Sequence, residues 1–304
     1  MKIDLHIHSK NSDGADTVEE LIPKIKAANV DVFALTDHDR TDGWAKASEL
    51  ANELGLSFIP GIEITTEGRI PDNQGNVHVF GIHLLAYLPD PNHEGLVRLL
   101  EANQKSREVR AKKFVENLQT KYPLLTYELV LELAQDGSTL GRPDLATALV
   151  HLEEFNSVGD VFGAPDSPIK KGSPFYVRNE APDVIDVIRV VREAGGVPVI
   201  AHPLARSGKD DSQPVSLPRK HFEQLVAAGL LGFETKHKEV EPEARDLLEA
   251  FAAEHGLITT GSSDYHGLSV KEDNPLGLHS TSVEMLKRIL ELGTGTKPTL
   301  NHEF

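Results

Sequence analysis

The sequence contains no cysteine, which excludes disulfide bonds, thiolate metal sites and a cysteine nucleophile. Positive charge is scarce: 31 Lys and Arg residues stand against 47 Asp and Glu residues, for a formal charge of −16. A protein that wraps duplex nucleic acid or lies on a membrane surface needs a basic face, so we expect neither partner. No apolar run approaches the roughly 20 residues of a transmembrane helix. The first residues show no signal-peptide pattern, and we expect a cytoplasmic protein.

Histidine, by contrast, is plentiful: the chain has 14 His against 5 Tyr and 1 Trp. Histidine is the most common metal ligand in proteins. In an acidic chain without cysteine, imidazoles and carboxylates together suit divalent cations that prefer nitrogen and oxygen ligands. The composition therefore favours a metalloprotein.

The hydrophobic pattern alternates between strands and helices in the first 60 or so residues and again after about residue 180, with short connections. This alternation predicts parallel β/α units. Between the two regions the pattern is helical only. We expect an α/β protein in which residues 1–90 and 176–304 form a barrel and residues 91–175 form a helical insertion that covers the active site. The polar segment 206–218 is predicted to be a mobile loop.

Most of the candidate metal ligands follow predicted strands at the point where each strand ends. His6 and His8 alternate in the first strand, so both point to the same side. The carboxyl ends of parallel strands meet at one rim of a β/α barrel, so the pattern predicts a metal site there. The candidates are His6, His8, Asp13, His38, Glu63, His83, His202, Asp264 and His266.

One apolar stretch holds both His78 and His83, and a regular strand turns these two side chains to opposite faces. Only one of them can face the metals. The strand pattern alone leaves the choice open.

Several of these residues lie in motifs that resemble the PHP (polymerase and histidinol phosphatase) family of metal-dependent phosphoesterases. The resemblance covers nearly the whole chain and is closest to the stand-alone bacterial members that act on nucleotide phosphates. The motifs are His6-x-His8, Asp13-Gly14, Leu35-Thr36-Asp37-His38-Asp39, Gly61-Ile62-Glu63-Ile64, His83-Leu84-Leu85, Ala201-His202-Pro203 and Ser263-Asp264-Tyr265-His266-Gly267.

This resemblance implies a distorted (β/α)7 TIM-like barrel with two to three divalent ions, of Mn, Fe, Zn or Mg. It assigns the first ion to His6, His8, Glu63 and Asp264. It assigns the second to Glu63, His83 and His202, and the third to Asp13, His38 and His266. His83 is preferred over His78 because the family's apolar strand then aligns and His78 falls in an inserted loop, Gly68–Val77.

The implied reaction is hydrolysis of a phosphate ester by a hydroxide that bridges the metals. Catalysis is assigned, through the bound metals, to His6, His8, Glu63, Asp264 and His266. Two or three divalent ions would also allow an acidic protein to bind an anionic substrate, since the ions are the dominant local charges.

The expected partner is a small phosphorylated substrate, a nucleotide such as AMP or a 3′,5′-bisphosphate, or the 5′ end of a short RNA. Arg142, in Gly141-Arg142-Pro143-Asp144, resembles the family's phosphate-binding element, and an arginine can hold a phosphate through two hydrogen bonds. The family usually has histidine where this chain has Asp144, so Asp144 could pair with Arg142 or meet a ribose hydroxyl. Arg206 and Arg178 are further candidates for phosphate contact.

Three other functions remain open at this stage. A histidinol-phosphate-type or other small-molecule phosphatase would share the metal site. A metallo-amidohydrolase would share barrel and metals, but this class often needs a carboxylated lysine, and no lysine follows a middle strand. A non-catalytic nucleotide-binding module is disfavoured, because no expected ligand position is missing.

Overall fold

The structure is a computed structural model that describes residues 1–71, 74–134, 140–204 and 219–304. Arg206 and the predicted loop 206–218 lie outside these residues. None of the helices within the described ranges is long and apolar enough to cross a membrane.

A seven-stranded sheet, with its strands in chain order, forms the centre of the fold. The strands are β1 (Ile3–Ile7), β2 (Val32–Leu35), β3 (Ser57–Pro71), β4 (Val77–Tyr87), β5 (Val197–Ile200), β6 (Gly232–Lys236) and β7 (Ile258–Gly261). The first three strands are parallel, as are the last three. A bridge from Ile7 to Tyr265 joins the end of β1 to the segment after β7, so the two edges of the sheet meet at the rim.

Strand β4 departs from the expected pattern because it is antiparallel to both of its neighbours. It forms a long hairpin with β3, in which Arg69 pairs with Val79 and Ile70 with His78. The predicted inserted loop, Gly68–Val77, is therefore wrong over Gly68–Pro71 and at Val77, which are strand residues, and His78, expected in that loop, lies in β4. The composition of residues 68–77 suggests a turn, but the backbone pairing between β3 and β4 continues past Gly68 as far as Pro71.

Ten helices surround the sheet or follow one another between β4 and β5 in the described residues. They are α1 (Val18–Ala27), α2 (Trp44–Leu54), α3 (Glu94–Leu118), α4 (Tyr127–Leu133), α5 (Arg142–His151), α6 (Val158–Gly163), α7 (Val184–Glu193), α8 (Arg219–Ala228), α9 (Pro242–His255) and α10 (Val283–Leu292). A capping box begins helix α1: the Thr17 side chain accepts from the backbone N–H of Glu20, and the Glu20 carboxylate accepts from the Thr17 N–H.

Helix α3 connects two separate hydrophobic cores. Near its start, Leu96 and Leu100 pack in the core that the strands share with α1, α2 and α7. Near its end, Phe114 and Leu118 pack in a second core formed by residues between 111 and 169. Because one continuous 25-residue helix belongs to both cores, it holds the helical segment in a defined place relative to the sheet.

Candidate metal centre

Glu63 lies at the centre of a cluster of imidazoles. Its side chain is 1% exposed, and its two carboxylate oxygens face different groups of ring nitrogens. Oε2 has ring nitrogens at 3.1, 3.1 and 3.3 Å, on His6, His8 and His38. Oε1 has ring nitrogens at 2.8 and 3.2 Å, on His83 and His202. A carboxylate placed in this way can be shared by two cations.

Two aspartates complete the cluster, one on each side of the imidazoles. Asp264 Oδ1 lies 3.5 Å from His6 Nε2 and 3.4 Å from His8 Nε2. Asp13 Oδ1 lies 3.2 Å from His266 Nε2, and Asp13 Oδ2 lies 3.8 Å from the ring of His38.

Three groups of ligand atoms within the described chain are close enough to hold a cation. They are His6, His8, Glu63 and Asp264; His8, Asp13, His38 and His266; and His38, Glu63 and His83. The first equals the set that the family resemblance assigns to the first ion, and the second contains the set assigned to the third ion. In the group around Glu63 and His83, His38 stands where the resemblance places His202.

Strained backbone positions present several of these side chains. Asp39, His202 and Asp264 have φ values of +55°, +28° and +51°, in a region that residues other than glycine rarely adopt. Each lies in the segment that follows a strand, where the chain turns sharply at the rim. Such strain persists only where surrounding contacts hold it, and it is concentrated at functional sites.

The residues present fit a metal centre of nitrogen and oxygen ligands. Nε2 of His6 and Nε2 of His8 lie only 3.0 Å apart and face the same carboxylate oxygen. Asp13 Oδ1 and His38 Nδ1 are buried and lack a hydrogen bond of acceptable geometry. A cation would satisfy these converging lone pairs, and a donor set without sulfur suits Mn, Fe, Zn or Mg.

The charged groups of the cluster shift one another's pKa values. Burial raises the pKa of Glu63, but His6 and His38 outweigh this effect and hold that pKa well below its ordinary value. Burial likewise lowers the pKa of His8, but Asp264 and Glu63 outweigh it and raise the pKa to about 9. The metal-free protein therefore keeps a proton on His8 at neutral pH, and a bound cation has to displace it.

We expect metal loading near pH 7.5 to release protons and metal affinity to rise with pH up to about 9, because His8 has to deprotonate. The pKa of His8 is raised by folding, so its contribution to stability is complete below about pH 6.5 and is lost as pH rises through about 9. Calorimetry in buffers of different ionisation enthalpy measures the protons released. A pH-independent affinity would contradict this prediction.

We also expect the purified protein to carry two to three divalent ions per chain, because the cluster offers three groups of ligands that share members. Elemental analysis after mild purification and after loading with Mn²⁺ measures the number. Less than about one ion per chain after loading would contradict the prediction.

The structure separates His83 from His78. His83 Nδ1 lies 2.8 Å from Glu63, whereas His78 is exposed and stacks on Phe80. The geometry therefore brings His83 to the cluster.

The candidate phosphate-binding residues lie in different surroundings. The Arg142 guanidinium lies 5.9 Å from the ring centre of Phe162. Asp144 Oδ2 accepts the backbone N–H of Gly141 at 2.6 Å and caps helix α5, so this oxygen is not paired with the guanidinium of Arg142. Arg178 donates to Glu67 at 2.5 Å.

Arg178 also lines a cleft of about 610 Å³ beside α3, which it shares with Asn103. Asn103 is buried and donates to Asp39 Oδ1 and to the carbonyl of Thr65. None of the described residues that line this cleft is a candidate metal ligand.

Sequence patterns missed several buried charges that support the cluster. Glu234 contacts His6, and Lys271 lies 2.6 Å from Asp264 Oδ2. His237 is completely buried, and its Nε2 lies 3.4 Å from the same oxygen. These partners are far apart in the chain, so no local motif links them. The one available signal was position, because Glu234 lies near the end of a predicted strand.

Comparison with known proteins places the chain in a family. A family model described as the PHP domain matches residues 4–191. A 5′-3′ exoribonuclease of Haemophilus influenzae is 31% identical over 269 residues, covering 87% of this chain and 90% of the relative. A 3′,5′-nucleoside bisphosphate phosphatase of Chromobacterium violaceum is 29% identical over 269 residues, with 87% of each chain covered. A phosphoribosyl 1,2-cyclic phosphate 1,2-diphosphodiesterase of Eggerthella lenta is 31% identical, covering 87% of this chain and 94% of the relative.

A solved structure agrees with the sequence comparisons. A candidate metal-dependent phosphoesterase of Bifidobacterium adolescentis superposes with a TM-score of 0.85 at 32% identity, with 96% of each chain covered. The seven-stranded α/β architecture is therefore that of a PHP phosphoesterase, as the sequence predicted. The chain belongs to the PHP family and is a metal-dependent phosphoesterase.

Proposed function

We propose that the protein hydrolyses a phosphate ester of a small nucleotide substrate, a mononucleotide, a 3′,5′-bisphosphate or the 5′ end of a short RNA. The observation that carries the proposal is the position of Glu63, whose two oxygens face separate sets of imidazoles. Such an arrangement suits a centre of two or more cations, which can stabilise both the attacking and the leaving oxygen of an in-line displacement at phosphorus. The three named relatives act, by their names, on RNA, a nucleoside bisphosphate and a cyclic ribose phosphate.

The proposed metal ligands are His6, His8, Asp13, His38, Glu63, His83, His202, Asp264 and His266. When bound, divalent ions would neutralise the phosphate and make a coordinated water acidic enough to act as the nucleophile near neutral pH. The chain's own groups would hold the ions and leave one side of the site open. His6 and His8 are fully buried, whereas the side chains of Asp13 and His83 are 17% and 35% exposed. A substrate would therefore approach from the side of Asp13 and His83.

We further propose that residues 91–175 form an insertion over this open side and supply part of the substrate contacts. Helix α3 reaches the rim, where Arg107 donates to the buried Asp39 at 3.1 Å and to Thr65. Arg110 and Arg142 lie nearby. Burial lowers the pKa of Arg110 to about 10, although Tyr176 acts to raise it. Repulsion from the positive charges of Arg142 and Arg107 also lowers this pKa. Three neighbouring guanidinium groups in an acidic protein suit an anionic substrate.

Arg142 is the strongest of these candidates for a second anionic group of the substrate, because Asp144 caps its own helix and does not pair with the guanidinium within the described part of the chain. Arg206 and Arg178 remain proposed contacts. Arg178 already pairs with Glu67, so a phosphate there would have to compete with that carboxylate.

The test is a phosphate-release screen with Mn²⁺ across 5′-AMP, nucleoside 3′,5′-bisphosphates, cyclic phosphates and short 5′-phosphorylated RNA. Histidinol phosphate and an amide substrate serve as comparisons for the other functions considered. We expect turnover of at least one nucleotide and none of the amide. Turnover of histidinol phosphate alone would overturn the nucleotide assignment, and turnover of the amide alone would overturn phosphoester hydrolysis.

A further inference from the structure

Strand β6 contributes none of the proposed metal ligands, unlike the other six strands of the described sheet, yet it carries a buried carboxylate to the rim. Glu234 has no exposed surface. Its Oε1 and Oε2 lie 3.1 and 3.3 Å from Nδ1 of His6. The opposite ring nitrogen of His6, Nε2, points to Glu63 and Asp264. The imidazole is thus held between a carboxylate behind it and the proposed metal centre in front.

We propose that Glu234 is a positioning residue that accepts the Nδ1–H of His6 and so keeps the Nε2 lone pair directed at the metal centre. This inference rests on the proposed function, in which His6 is a ligand. A neutral imidazole carries one N–H, and the partner of one ring nitrogen decides which nitrogen remains free to bind a cation. With the proton on Nε2, an N–H would point into the space between Glu63 and His8, and His6 could not bind an ion there.

Glu234 also ties two other strand ends to His6. Its Oε2 accepts the backbone N–H of His202 at 2.9 Å, and its Oε1 accepts from the side chain of Ser262. His202 has the strained φ of +28°, so this hydrogen bond supports a conformation that the backbone would otherwise leave. One carboxylate thus connects the segments after β5 and β7 to the imidazole on β1.

The variant that isolates the role is Glu234→Gln. Glutamine has the same shape and keeps one oxygen that can accept from His202 or Ser262. His6, His202 and Ser262 together donate to the two oxygens of Glu234, so the amide NH₂ that replaces one oxygen faces at least one of these donors and leaves it without an acceptor. The substitution also removes the negative charge behind His6. Glu234→Asp keeps the negative charge on a shorter side chain. Thr235→Val is the matched control, because Thr235 is the next residue on β6, is equally buried and contacts Glu249 rather than the cluster.

Calorimetric titration with Mn²⁺ alone measures the affinity of each protein for the metal ion in the absence of substrate. We expect Glu234→Gln to lose about 10–100-fold in affinity for its tightest ion. Glu234→Asp should lose less, and Thr235→Val should stay within about twofold of the wild type, as expected for a residue outside the supporting contacts. Wild-type affinity in Glu234→Gln would overturn the proposal, as would equal losses in Glu234→Gln and Thr235→Val.

A second measurement does not depend on how the variants fold. The wild-type protein, loaded with Zn²⁺ and labelled with ¹⁵N-histidine, should show His6 protonated at Nδ1 and metal-bound through Nε2 in NMR spectra. The opposite assignment would overturn the role of Glu234 even if the nucleotide screen succeeds. If the screen finds no nucleotide substrate but the NMR spectra give the expected protonation of His6, only the substrate assignment is overturned. A wild-type protein that binds neither Mn²⁺ nor Zn²⁺ would overturn the metal centre and this role together.

Discussion

Glu63→Ala is expected to abolish most of the activity and most of the metal binding while leaving the fold intact. The carboxylate faces five imidazoles through two oxygens, so its loss affects more than one cation at once. Loss of a residue that only supports a ligand lowers metal affinity or activity by about 10–100-fold. Loss of the shared ligand itself should lower both by more than about 100-fold. His83→Ala should cost less, because His83 serves one ion and is partly exposed.

The measurements are ions per chain by elemental analysis, kcat/KM on the best substrate of the screen, and circular dichroism. Glu67→Gln is the control: Glu67 lies on the same strand, is 5% exposed and pairs with Arg178 rather than with the cluster. It should retain the wild-type number of ions. Folding should survive in Glu63→Ala because the rim lies beyond an intact apolar core. Global unfolding, or turnover close to the wild type, would contradict the prediction.

Arg142→Ala is expected to narrow the preference for a nucleoside 3′,5′-bisphosphate over the corresponding monophosphate. If the metals bind the scissile phosphate, Arg142 is placed to bind a second anionic group, and binding energy at that distant group can orient the reacting one. A hydrogen bond to a charged group contributes about 1.5–3 kcal/mol, so kcat/KM on the bisphosphate should fall about 10–100-fold. The effect on the monophosphate should be small.

The comparison uses both substrates with the wild type, with Arg142→Ala and with Arg98→Ala. Arg98 is a charge-matched control, because it is 71% exposed on α3 and pairs with Glu94 of the same helix. An equal loss on both substrates in Arg142→Ala would show that Arg142 is structural or contacts the scissile group. Absence of a bisphosphate preference in the wild type would discard the second-phosphate site and leave a general phosphoesterase.

The sequence alone was sufficient for the family, the class of fold and the strand ends at which the candidate ligands lie. These features depend on local information: the period of apolar residues predicts strands and helices, and alternation in a strand places His6 and His8 on one side. The capping box at Thr17 was predictable for the same reason, since its partners are three residues apart. Motifs such as His6-x-His8 keep their ligands close in the chain, so their spacing carries the chemistry.

Only the tertiary structure decided how distant residues meet. The direction of β4 depends on its pairing with β3 and β5, and the same apolar pattern would suit a parallel strand. Glu234 and His6 are 228 residues apart, and Arg107 and Asp39 are 68 apart, so no local pattern joins either pair. Buried charges are stable only with partners, and the fold alone determines which partners come within reach.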